Sequence, residues 1–132
     1  MKRYLIDASF LFSLINTKDK HHSACKEFSK KHSKDEWFLS ALCLFEVDAS
    51  RQRRLREHTF LGQSGELTLK RCIPIDRKFY KDCQKEKLFD TFKELRGADL
   101  TYACMAKMNN LILVTCDNHF DLYKKEIGLR KL

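Results

Sequence analysis

Asp7, Glu46, Asp99 and Asp117 are the residues of this chain with the clearest capacity for chemistry. Each lies where an expected strand end or helix would present its carboxylate to a common crevice. Carboxylates gathered closely repel one another and take up protons unless a cation sits among them, so a cluster of this kind predicts a metal. Donors that are all oxygen suit a hard divalent ion, magnesium or manganese. An ion held by two or more acids can acidify a water and stabilise charge on a phosphate, which is the chemistry of phosphodiester hydrolysis.

Taken singly, each acid has a simpler explanation. Asp7, followed by Ala8 and Ser9, would cap a first helix. Glu46 would be a solvated helix residue, although its neighbours Leu44, Phe45 and Val47 predict mostly buried surroundings. Asp99, two residues past Gly97, suits the positive end of a helix dipole. Asp117 would cap a turn made by Asn118 and His119. Capping does not account for the four together.

The elements that would position these acids alternate between strand and helix. Residues 3–7, RYLID, form a short apolar strand ending in an acid, and residues 111–117, LILVTCD, repeat that design. In open parallel sheets ligands bind at the carboxyl ends of the strands. Helical spacing follows Asp7 at Phe10, Leu11, Leu14 and Ile15, and residues 19–32 predict an amphipathic helix with Ala24, Cys25 and Phe28 on its apolar face. Residues 36–40, EWFLS, predict a strand, and residues 41–57 a long helix that turns basic at its end. Residues 58–70, with Gly62 and Gly65, predict a loop or irregular helices. A strand over Cys72 to Ile75 is interrupted by Pro74, which favours an edge, and one helix is expected from Arg77 to Leu95. A further helix after Gly97 runs into the LILVT strand. This alternation predicts one α/β domain over residues 1–132, a parallel sheet covered on both faces.

Lys and Arg number 26 against 18 Asp and Glu, for a formal charge of +8. An anionic partner is therefore expected. Arg51, Arg53, Arg54 and Arg56 follow Glu46 on the expected long helix, where they would hold the phosphates of an anionic partner or simply form a solvated basic helix end. The adjacent His21 and His22 point apart on a helix and are expected at the surface. The six cysteines include no CxxC pair and no zinc-finger spacing, so they are expected as free thiols, most of them buried, in a reducing cytoplasm. No signal-peptide pattern follows Met1, and no apolar run reaches the roughly 20 residues that span a bilayer. Gly-rich phosphate loops and G-x-S-x-G are missing too.

YLIDASFLFSLIN at 4–16, FEVDASRQRR around Glu46, GADLTYACMAKMNN and LVTCDNHF at 113–120 resemble the four acidic motifs of PIN-domain nucleases, and most of all their VapC-type toxin branch. The resemblance covers nearly the whole length in the right order and is most specific in the first strand and in Thr115, Asp117 and Phe120. It implies a three-layer α/β/α sandwich with a central parallel sheet and a Mg2+- or Mn2+-dependent endoribonuclease site. Asp7, Glu46, Asp99 and Asp117 fall on the family's acidic positions. Ser9 and Thr115 fall where relatives place a small hydroxyl that supports the metal's surroundings. Many relatives carry a further acid two positions beyond the fourth, where this chain has His119, with Asp121 close by. The resemblance also implies a small antitoxin partner and a homodimer.

The leading expectation is a metal-dependent endoribonuclease acting on RNA, the toxin of a type II toxin-antitoxin pair. A housekeeping RNA-processing nuclease would share these motifs. A non-catalytic PIN-like module binding RNA or protein is the reading from another class, and the presence of all four acids counts against it. A phospho-acceptor domain would need an acidic pair beside the first strand, which this chain lacks, and has no use for Glu46.

Overall fold

In a computed structural model, which describes residues 1–48 and 69–132, five strands form a single all-parallel sheet. In chain order the elements are β1 (Arg3–Ile6), α1 (Ala8–Ile15), α2 (His22–Lys31), β2 (Glu36–Ser40), α3 (Ala41–Asp48), β3 (Leu69–Ile73), α4 (Arg77–Lys85), α5 (Leu88–Thr91), α6 (Gly97–Asn109), β4 (Ile112–Thr115) and β5 (Gly128–Lys131). A 3-10 turn at Asp121–Tyr123 lies between the last two strands. The strand order is β3-β2-β1-β4-β5, so β1 is central.

The burial of consecutive residues explains the layering. Tyr4, Leu5 and Ile6 of β1 are all buried, as are Leu113, Val114 and Thr115 of β4. Successive side chains point to opposite faces of a sheet, so burial of both kinds requires cover on both sides. The fold is a three-layer α/β/α sandwich. On one face Tyr4 and Trp37, register partners on β1 and β2, meet Phe10 of α1 and Phe28 of α2. Phe10 stacks on Trp37 at 5.7 Å between ring centroids, and the Trp37 indole donates to the His32 carbonyl at 2.9 Å. Elsewhere in the core Phe92 meets Tyr123 edge-on at 5.1 Å.

Several element boundaries differ from expectation. The single helix over 77–95 is two, because Lys87 takes the left-handed conformation at φ 56°. The third strand begins at Leu69 and stops at Ile73, since Pro74 has no N–H to continue the ladder; as expected, it lies at a sheet edge. Ala24 is exposed, and the buried face of α2 is Cys25, Phe28 and Ser29. Phe45 is 75% exposed, so the surroundings of Glu46 are less buried than its neighbours imply. The fifth strand, GLRK, has no apolar run and lies at the other edge. The basic end of the expected long helix, with Arg51, Arg53, Arg54 and Arg56, and nearly all of the expected 58–70 loop lie outside the described residues. Among the described residues no helix is long and apolar enough to cross a membrane.

Candidate active site at the carboxyl edge of the sheet

Adjacent parallel strands β1 and β4 hold the centre of the site. Their register, Ile6 beside Val114, puts Asp7 next to Thr115, and the Asp7 N–H donates to the Val114 carbonyl at 3.3 Å. Asp7 is the N-cap of α1: its Oδ1 accepts from the Phe10 N–H at 2.9 Å and from the Ser9 hydroxyl at 2.7 Å. Its Oδ2 accepts from the Thr115 hydroxyl at 2.6 Å. Capping is therefore real, and among the described residues it leaves one acceptor position of Oδ2 unused.

The same two hydroxyls fix the start of the loop after β4. Ser9 Oγ accepts from the Cys116 N–H and Thr115 Oγ1 from the Asp117 N–H, both at 3.0 Å. The two oxygens lie 3.2 Å apart. Asp7, Ser9, Thr115 and the Asp117 backbone thus form one hydrogen-bonded knot between α1 and the end of β4. Asp7 is only 3% exposed, and no ion pair reaches it among the described residues. Burial pushes its carboxyl up to about 6, with the charge of Asp117 adding to the rise and the hydrogen bonds opposing it.

The other two acids join through partners that local sequence patterns did not reveal. Glu46 Oε1 accepts from the hydroxyl of Tyr102 at 2.7 Å, linking α3 to α6. Tyr102 is buried, and its hydroxyl is pushed well above the ordinary tyrosine value by burial first, and further by neighbouring Cys43, its hydrogen bond to Glu46 and the negative charges of Glu46 and Asp7. Asp99, in the first turn of α6, meets the imidazole of His119 through its Oδ2 at 2.8 Å. His119 therefore ties Asp99 to the turn that carries Asp117. Farther along, Lys131 of β5 donates to Asn118 at 2.7 Å and to Asp121 at 3.0 Å, holding that turn from its other end.

Beside the knot opens a polar cleft lined by Ser9, Asp19, Lys20, His21, Asp117 and His119. His22 lies outside it, its ring meeting the Ser13 carbonyl at 3.0 Å. As arranged, no group of three or more His, Cys, Asp or Glu side chains among the described residues stands ready to hold a metal. The donor chemistry nonetheless fits a hard cation. Among the described residues Asp7 keeps an unused acceptor position and has no counter-charge paired to it, while burial and the negative charge of Asp117 raise its pKa.

A central parallel sheet with carboxylates at the carboxyl edge of its middle strands defines a class of α/β proteins with an acidic edge site. The chain belongs to the PIN domain family, whose model matches residues 4–126. Solved structures with the same fold include VapBC2 from Rickettsia felis bound to a DNA fragment from their promoter, with 19% identity, TM-score 0.66 and 97% of each chain covered. DNA-bound VapBC from Salmonella typhimurium aligns with 14% identity and TM-score 0.67, over 99% of this chain and 98% of that one. VapC20 from Mycobacterium tuberculosis, described as a sarcin-ricin loop cleaving toxin, aligns with 16% identity and TM-score 0.66, over 90% of this chain and 93% of that one. At these identities the likeness is one of fold. No curated protein matches the sequence.

Proposed function

We propose that this chain is a divalent-metal-dependent endoribonuclease, the toxin of a type II toxin-antitoxin pair, acting as one domain over residues 1–132. The observation that carries the proposal is the buried Asp7 carboxylate, without an ion pair among the described residues, beside Asp117 at the carboxyl edge of β1 and β4. Family membership and the VapC fold of the solved relatives support the same reading. Mg2+ or Mn2+ would be held by Asp7 and Asp117, with Asp99 and Glu46 completing the acidic set. When bound, the ion supplies Lewis acidity toward a water and the scissile phosphate.

The chain's own residues do the positioning. Ser9 and Thr115 hold the Asp7 carboxylate in one orientation, and Tyr102 and His119 orient Glu46 and Asp99. A cleft that places Lys20 and His21 beside Asp19 and Asp117 gives the RNA backbone a polar approach, and the net charge of +8 favours its capture. Arg51, Arg53 and Arg54, which follow Glu46 in the sequence and lie outside the described residues, are the proposed phosphate contacts. An antitoxin would work by covering the acidic edge, and a homodimer is the proposed assembly. Six free cysteines support a reducing cytoplasm.

Calorimetric titration with Mn2+ tests the metal half directly. Wild type is expected to bind, and Asp7→Asn and Asp99→Asn to lose binding while keeping the wild-type circular dichroism spectrum. Undiminished binding by both variants would remove these acids from the site.

A further inference from the structure

We propose that Cys25 and Cys116 form a reversible disulfide, a thiol-oxidation site that shuts down the acidic edge beside it. Their sulfurs lie 3.4 Å apart although the residues are 91 positions apart in sequence. A disulfide needs about 2.05 Å between sulfurs, so closure asks for a little over ~1 Å of movement. Cys25 is wholly buried on α2, whereas Cys116 is only partly buried and opens into the cleft beside Ser9, Asp117 and His119. The pair thus has one sulfur that a small oxidant reaches and one placed to resolve it. Cys83 and Cys104 are also neighbours and line an apolar pocket, but each is almost wholly buried, whereas Cys116 is not.

The oxidant class is a small dialkyl disulfide such as glutathione disulfide. Cys116 sulfur, having given up its proton, attacks one sulfur of the oxidant, forming a mixed disulfide and releasing one small thiol, which takes up a proton. Cys25 sulfur then attacks Cys116 sulfur, and the second small thiol leaves with the Cys25 proton. Two protein thiols become one disulfide, and the oxidant is reduced to two thiols.

The movement falls on Cys116, because it lies just past the last residue of β4, where the ladder ends, while Cys25 is set in a packed helix. Drawing Cys116 toward α2 pulls its N–H from Ser9 Oγ and displaces Asp117, the next residue. The functional half of the proposal therefore rests on the nuclease reading above.

The test is incubation of the full chain in glutathione disulfide, followed by peptide mapping without reductant and by cleavage of an RNA pool. A Cys25–Cys116 linked peptide is expected, together with a loss of cleavage of about 10- to 100-fold that dithiothreitol reverses. Neither variant should give the linked peptide: Cys116→Ser should take up no glutathione there and keep its cleavage in the oxidant, whereas Cys25→Ala should stop at the mixed disulfide on Cys116, and either one that folds serves as the control. A glutathione adduct that stays on Cys116 without reaching Cys25, or no linked peptide, would overturn the site. A complete crosslink with unchanged cleavage would overturn the shut-down. If the reduced protein cuts no RNA, the nuclease reading fails by itself, and the peptide map still decides the disulfide.

Discussion

Thr115 carries more of the site than its size implies. Its hydroxyl donates to Asp7 and accepts from the Asp117 N–H, with no exposure to water. Thr115→Val keeps the volume and leaves the buried Asp7 carboxylate and the part-buried Asp117 N–H each short of a hydrogen bond. A loss of about 1–3 kcal/mol in urea unfolding is expected, with a fall in RNA cleavage of about 10- to 100-fold. Unaltered cleavage by a folded variant would mean that the hydroxyl does not position Asp7. Asp7 itself gives a pH signature. Its folded pKa of about 6 exceeds the roughly 3.9 of an unfolded aspartate, so between those values the folded chain keeps a proton that the unfolded chain has released. Its contribution to stability is therefore greatest below about pH 4, falls as pH rises through about 6 and stays low above that. In EDTA, Asp7→Asn is expected to gain on wild type by roughly 2–3 kcal/mol between pH 4 and pH 7. Parallel stability curves for the two proteins would contradict the burial argument.

The helices and strands show what local pattern can and cannot disclose. Strands such as EWFLS and LILVT declared themselves because both faces are buried, which leaves a continuous apolar run. GLRK escaped because an exposed edge strand needs no such run. The split between α4 and α5 escaped because apolar spacing continues through Lys87 while the backbone reverses hand there. That conformation is costly for a residue with a Cβ, so Lys87→Gly is expected to stabilise the chain by about 1 kcal/mol. Lys81→Gly, inside α4, should instead cost about 1 kcal/mol. Equal destabilisation by both in thermal unfolding would show that position 87 carries no conformational strain. Asp7, Asp99 and Asp117 could be singled out because each sits at or beside an element boundary, and Glu46 because of its apolar neighbours along an expected helix. Their supporting contacts could not: Tyr102 reaches Glu46 across 56 positions and His119 reaches Asp99 across 20, and such pairings exist only after the sheet has formed.

At the scale of the whole molecule, the sheet order converts separate motifs into one edge. With β1 between β2 and β4, the ends of the central strands adjoin, and α1, α3 and α6 deliver Ser9, Glu46 and Asp99 toward the same edge. The acids make that edge locally negative on a chain whose net charge is +8, which suits a cation at the site and a polyanion around it. The central claim is that these carboxylates make the chain a metal-dependent ribonuclease. It is tested most directly by incubating purified wild type and Asp7→Asn with a cellular RNA pool in Mg2+, Mn2+ or EDTA. Cleavage by wild type in either metal, with none in EDTA and none by the variant, is the predicted result. Equal cleavage by both proteins, or cleavage that survives EDTA, would contradict it, as would RNA left intact by wild type shown to be free of any bound inhibitor.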